Sequence, residues 1–191
     1  MKAVLVNTLF ENKVEQLYDV TVRLASALEN AGIPYQIIGG FAVFSHIETV
    51  DPLGARLTRD VDITVDRARL QEIAAAVEPA GFRYRHVAGV DMLVDAKEPK
   101  ARSAVHIIFA NEKVRPEYVE PVPGISHPER SKRGYWIAPV ADLVRMKLTS
   151  FRLKDKVHIQ DLDSARLITP AIEAQLPEVL RARLSEVRAL R

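Results

Sequence analysis

Apolar positions recur along this chain with two different periods. Across residues 11–31, Val14, Leu17, Tyr18, Val22, Leu24, Ala25 and Leu28 fall at helical spacing, and Asn30-Ala31-Gly32 supplies a stop. Tyr35-Gln36-Ile37-Ile38 is a short β-prone run that leads into Gly39-Gly40. Phe41-Ala42-Val43-Phe44 then opens a new helix, so the order is strand, glycine turn, helix. Residues 51–59 carry Pro52 and Gly54 and read as a loop. Val61-Asp62-Ile63-Thr64-Val65 alternates and is rich in β-branched residues, which predicts a strand from about Asp60. A helix is expected over 67–80 with Leu70, Ile73, Ala74 and Val77 inward, then strands over 82–86, 90–94 and 103–109.

Residues 111–133 hold four prolines and little periodicity, the pattern of a loop or connecting arm. One further strand is expected over 135–138, and three helices over 139–151, 154–167 and 177–190, the first with proline in its first turn. This order predicts an α+β fold: a mixed β-sheet flanked by helices over 1–126, with a C-terminal helical part, 127–191, packed on it.

Composition narrows the chemistry. The chain has 191 residues, 48% hydrophobic and 27% charged, which is globular and excludes disorder or a fibrous repeat. No run approaches the roughly 20 apolar residues of a membrane span. The first residues, MKAVLVNTLFENK, have too short an apolar run and no small-residue cleavage site for a signal peptide, so a cytoplasmic protein without a membrane partner is expected. With no cysteine, disulfides, thiolate zinc sites, iron–sulfur clusters and a Cys nucleophile are excluded. Carboxylates and imidazoles remain as ligands, and these favour hard cations. The net charge of +2 is unevenly divided: residues 127–191 hold thirteen Lys/Arg against eight Asp/Glu, and residues 1–126 fourteen against seventeen. An acidic first part with a basic tail suits a metal-and-phosphate site roofed by cations, and equally an uneven solvated surface.

Asp60-Val61-Asp62 is the sharpest feature. On a strand, residues i and i+2 share a face about 6.6 Å apart, and two carboxylates on one spot call for solvent or a divalent cation. Mg²⁺ fits, because it takes oxygen ligands and is held by one or two carboxylates together with substrate phosphates. Gly39-Gly40 before a helix either makes a tight turn or brings backbone N–H groups and a helix dipole to an anion. Lys147 falls on the same face as Val140, Leu143, Val144, Leu148 and Phe151, so it is drawn inward, to snorkel or to meet a phosphate. Asp155 is placed to cap the helix that follows. His158, Asp161 and Asp163 have the mixed spacing of a solvated or capping face.

The ordered set Ile38-Gly39-Gly40-Phe41-Ala42, Arg56 through Ile63, Leu143 through Lys147 and Arg152-Leu153-Lys154-Asp155 resembles the nucleotidyltransferase superfamily related to DNA polymerase β. Within it the likeness is to the AbiEii/AbiGii toxin-type branch, with aminoglycoside nucleotidyltransferases more distant, and it spans residues 37–161. The resemblance implies a Mg²⁺-dependent enzyme that moves a nucleoside monophosphate from a nucleoside triphosphate to an acceptor hydroxyl on RNA, protein or a small molecule. It implies that Asp60 and Asp62 hold metal, that Gly39-Gly40 cradles the triphosphate, that Lys147 supports its charge and that Thr58 and Arg59 border the site. An antitoxin partner belongs to the same implication. Basic residues at Arg130, Lys132, Arg133, Arg152, Lys154 and Lys156 leave room for RNA.

Two positions depart from the pattern. Phe41 stands where the more familiar motif has Ser after the glycines. His106 stands on the 104–109 strand where a third carboxylate is expected. Imidazole accepts protons near neutral pH but is a poor Mg²⁺ ligand. Three accounts therefore stand: His106 is the base; Asp91 or Asp95 on the preceding strand takes that role; or the fold binds nucleotide, or an antitoxin-type partner, without efficient transfer. A hydrogen-bonded core histidine is the structural alternative for His106.

Overall fold

A computed structural model describes residues 2–56, 58, 60–97 and 104–190. The described chain runs α1 (Lys2–Asn30), β1 (Tyr35–Ile38), α2 (Gly39–Val50), β2 (Val61–Val65), α3 (Leu70–Val77), β3 (Phe82–Val87), β4 (Val90–Asp95) and β5 (Val105–Phe109). It continues through β6 (Glu129–Arg130), β7 (Trp136–Ile137), α4 (Val140–Ser150), α5 (Leu153–Ser164), α6 (Pro170–Ala174) and α7 (Glu178–Ala189). One sheet takes all seven strands in the order β3-β4-β5-β2-β1-β7-β6. It is mixed: β1 runs antiparallel to β2 and parallel to β7, while β2 and β5 are parallel. This is the α+β architecture expected from the periodicities.

Most differences at element ends have local causes. The helix expected over 67–80 becomes a short 3-10 turn at Arg67–Arg69, capped by the Asp66 side chain accepting from the Ala68 N–H, followed by α3. Pro79 has no N–H to continue the helix, so α3 ends at Val77, and Gly81 turns the chain at φ +86°. Helix α6 was not expected, yet Thr169-Pro170 is a start signal: the Thr169 hydroxyl accepts from the Ile172 N–H and proline sits in the first turn. Helix α1 begins at Lys2, nine residues before the expected start, with neither Gly nor Pro in the added turns. Within the arm, only Glu129–Arg130 pairs as strand.

Strand alternation buries one side of β2 completely enough to hold the sheet: Val61, Ile63 and Val65 belong to the core, as do their partners Ile37, Val105 and Ile107. Helix α2 packs on β1 and β2 and against α4 and α5, which in turn meet α7. The position that departs from the Ser pattern explains itself here. Phe41, fully buried, stacks on Phe44 and Tyr135 and meets Tyr18 edge-on, with centroids 6.1, 6.1 and 5.4 Å away. Its ring ties the first turn of α2 to α1 and to the chain entering β7. Phe41→Ala is expected to lower the unfolding free energy by about 3–5 kcal/mol, read from urea denaturation followed by circular dichroism.

Candidate active site

The register of three central strands sets the site. Ile38, the last residue of β1, lies opposite Asp62 of β2, and Asp62 lies beside His106 of β5. Because side chains alternate, Asp62 and His106 share a face, and Asp60, two residues before Asp62, lines the same cavity. Asp62 Oδ1 and His106 Nδ1 are 3.1 Å apart. An ionised carboxylate only accepts, so Nδ1 carries the hydrogen and Nε2 keeps the lone pair in the neutral ring. The hydrogen bond to Asp62 raises the His106 pKa; burial opposes this, the charges of Asp62 and Asp60 add to it and Lys154 works against it.

The glycine turn is built around that carboxylate. Gly39 adopts φ +73°, and a methyl group on it would lie 1.9 Å from Asp62 Oδ2. Only glycine satisfies both the left-handed backbone and the close approach. A methyl on Gly40 would meet Thr58 Oγ1 at 2.8 Å and His158 Cε1 at 3.3 Å. Helix α2 therefore starts directly behind the carboxylate. Its N-cap is Ile38, with no side-chain hydrogen bond to the first-turn amides. Those amides and the positive end of the helix dipole are suited to an anion.

Lys147 is buried, as its place on the apolar face predicts, and its ammonium donates to Asp155 Oδ1 at 3.1 Å. Asp155 is fully buried; it also accepts from Ser150 Oγ at 2.7 Å, Arg152 Nε at 2.7 Å and the Arg152 backbone N–H at 3.3 Å. Burial alone would raise the Asp155 carboxyl, but the Arg152 hydrogen bond, the Lys147 charge and Ser150 outweigh it and hold it at about 2. The capping role expected for Asp155 is present. Its larger role as anchor of Lys147 had no signal beyond their spacing across the α4–α5 corner.

These groups open on one cavity of about 350 Å³. Asp60, Asp62, His106, Gly39 and Lys147 line it together with Arg152 and Lys154. Gly40 and Thr58 touch one another behind Gly39, and Arg59 lies outside the described residues. The arm forms a wall: Val114, Tyr118, Glu120, Pro121 and Val122 line the cavity. The arm is pinned where the Asn111 N–H donates to the Val122 carbonyl and the Val122 N–H to the Glu112 carbonyl, each at 2.9 Å. Asp91 and Asp95 are engaged elsewhere. Asp91 pairs with Ile107, on the sheet face opposite His106, and bonds Tyr84 and His86; Asp95 is buried against Arg23. His158 is not solvated as its spacing suggested. It is half-buried beside Gly40, whereas Asp161 pairs with Arg56 and Asp163 with Arg188.

No protein-family profile matches the chain, and no curated protein matches it in sequence. Solved structures do share its fold. An antigenic nucleotidyltransferase-like protein from Paracoccidioides brasiliensis aligns over 93% of this chain and 89% of its own, at 16% identity and a TM-score of 0.59. ANT(2'')-Ia, solved in complex with adenylyl-2''-tobramycin, aligns over 91% and 97%, at 15% identity and a TM-score of 0.53. At such identities the likeness is one of fold: the seven-stranded mixed sheet flanked by helices is a nucleotidyltransferase-type fold. No helix among the described residues is long and apolar enough to cross a membrane.

Two outcomes follow from this geometry. Gly39→Ala is expected to cost about 2 kcal/mol or more, seen as a lowered Tm, because neither the backbone nor Asp62 can accept the methyl group. His158 titrates at about 4 rather than 6.5: burial lowers it, and Lys147, Lys154 and Arg152 outweigh the opposing Asp155. Between 6.5 and about 4 the unfolded chain binds this proton first, so stability conferred by the neutral ring is complete above 6.5 and lost as pH falls through that window. His158→Gln should flatten the decline by on the order of 2 kcal/mol, measured by denaturant titration at several pH values.

Proposed function

We propose that the protein transfers a nucleoside monophosphate from a nucleoside triphosphate to an acceptor hydroxyl. The observation that carries this reading is the apposition of Gly39 and Asp62. It sets an anion-binding helix start against a pair of carboxylates, with Lys147, Arg152 and Lys154 on the same cavity. The donor set suits Mg²⁺. Asp60 and Asp62 offer two carboxylates, and no cluster of three His, Asp or Glu among the described residues would hold a metal without substrate oxygens. Held by Asp60 and Asp62, Mg²⁺ would supply charge stabilisation to the phosphates.

The chain's own groups divide the remaining work. The α2 amides and Lys147 orient the triphosphate. The acceptor oxygen attacks the α-phosphorus, the bond from that phosphorus to the bridging oxygen breaks, and pyrophosphate leaves. His106 Nε2 takes the acceptor's proton, with Asp62 orienting the ring through Nδ1. Within this class the motif order supports the AbiEii/AbiGii toxin-type branch and, with that branch, an antitoxin partner.

A second reading, nucleotide binding without efficient transfer, is favoured by His106 occupying the place of a third carboxylate. Calorimetry with the four ribonucleoside triphosphates, with and without Mg²⁺, tests the first claim. Binding should require Mg²⁺ and weaken by about tenfold or more in Asp62→Ala. Absence of binding at millimolar nucleotide sinks both readings, and binding without pyrophosphate release on supplying acceptors selects the second.

A further inference from the structure

Among the described residues that line the cavity, Tyr118 of the arm is the one Phe, Tyr or Trp. It is half-buried, at the end of a segment that is exposed from Val114 to Glu117. Tyr84 and Trp136, also partly buried, pack against the hydrophobic core, whereas Tyr118 is not among the described residues that do so. Core packing therefore gives its ring no use. The Tyr118 backbone N–H donates to the Arg115 carbonyl at 3.0 Å, and the Arg115 guanidinium lies over the ring, 6.0 Å from its centroid. The ring also stands near the phosphate-binding cations. The Asp155 hydrogen bond raises the Arg152 pKa and burial opposes it, while the charges of Asp155, Tyr118 and Asp62 add to it. One guanidinium, fixed by Asp155, thus feels both the tyrosine and a carboxylate suited to Mg²⁺, and such interactions fade beyond about 10 Å.

Given nucleotidyl transfer, on which this inference rests, the triphosphate meets the α2 amides, Lys147 and Arg152. Its base is tied to those phosphates and can stray from them by no more than the ribose that joins the two. An acceptor carries no such tether. The base therefore has to find its surface in this cavity, within reach of the cations, and a π-face is the surface that suits it. We infer that Tyr118 is the stacking platform for the nucleobase, the residue through which the site tells a nucleotide from its bare sugar and phosphates. Stacking uses a face that every base has, so it gives affinity with little choice among bases. The cation over the ring is compatible with this use, because Arg115 is exposed and bound to the ring by charge alone. On this reading the arm is part of the nucleotide site: the strands and the α4–α5 corner hold the phosphates, and the arm holds the base.

The probes are the four ribonucleoside triphosphates and ribose 5-triphosphate, which keeps the sugar and phosphates and lacks the base. Each is titrated with Mg²⁺ into the full chain by calorimetry. The wild type should bind the nucleotides about tenfold more tightly than ribose 5-triphosphate. Tyr118→Ala should remove that difference while binding ribose 5-triphosphate as the wild type does, and Tyr118→Phe, which keeps the π-face, should retain it. Both variants should keep the wild-type Tm, since the ring does not pack on the core. A measurement on the wild type needs no substitution: in nuclear magnetic resonance spectra the Tyr118 ring protons should move upfield with a nucleotide and stay in place with ribose 5-triphosphate. Equal affinity of the wild type for nucleotides and ribose 5-triphosphate, a difference that survives Tyr118→Ala, an equal loss of both affinities in that variant, or unmoved Tyr118 resonances overturns the inference and leaves nucleotidyl transfer standing. Failure of the nucleotides and ribose 5-triphosphate alike to bind the wild type removes the nucleotidyl-transfer reading itself, and the inference with it.

Discussion

The carboxylate of Asp155 holds the corner on which the cationic side of the cavity depends. It is fully buried and accepts from a lysine, a serine, an arginine side chain and a backbone amide, all from the last turn of α4 and the corner that follows it. Removing one partner from a buried pair of this kind costs about 3–5 kcal/mol, because the other is left charged and unpaired. The corner itself is bent at Phe151, which takes φ +51°, a left-handed conformation that a phenylalanine keeps only when its surroundings enforce it. Lys156 and Arg183 lie over its ring, and Arg183 also donates to the Leu148 and Thr149 carbonyls at the end of α4. A fixed corner gives fixed cations, and Lys147 reaches the cavity without the freedom an exposed lysine would have.

The opposing side rests on backbone register. Asp62 is placed by pairing with both β1 and β5, so its carboxylate faces Gly39 on one flank and His106 on the other. A slip of one residue in either ladder would turn the carboxylate to the other face. The apolar residues that prevent such a slip, Ile63 with its neighbours Ile37 and Ile107, are fully or almost fully buried. Core packing and site geometry are thus two faces of the same three strands.

Much of this was legible in the chain because it is written locally. Alternation located β2 and β-prone runs located β1, β4 and β5, while the glycine pair and the Asp-Val-Asp triplet located the turn and the acidic end. Position on an apolar helix face is enough to send Lys147 inward. What escaped depends on contacts between segments distant in sequence. Asp155 looked like a helix cap because its neighbours in sequence make it one, and nothing local distinguishes a capping carboxylate from a buried anchor. The arm had the proline content of a loop, but that Val114, Tyr118 and Val122 wall the cavity is a matter of tertiary placement. His158 seemed solvated from its polar surroundings on α5, whereas Gly40, by lacking a side chain, makes the space that half-buries it. The early end of α3 at Pro79 and the start of α6 at Thr169-Pro170 are different: both signals are local and weigh more than the surrounding apolar spacing.

The pairing of β1 with β7 sets an order on how this molecule is made. Ile37 waits for Ile137, a hundred residues downstream, before β1 gains its parallel neighbour. During synthesis, a chain that has emerged through β5 holds the acidic half of the cavity on β2, while the outer edge of the neighbouring β1 is open. The ammonium and the anchor that face those carboxylates arrive only with α4 and α5. Until the ribosome has delivered them, the nascent protein displays an unpaired strand edge, the feature that invites wrong partners. The stretch from β7 to α5 is therefore a closing piece for the sheet as well as a helical layer, and the site is complete only once α5 has emerged.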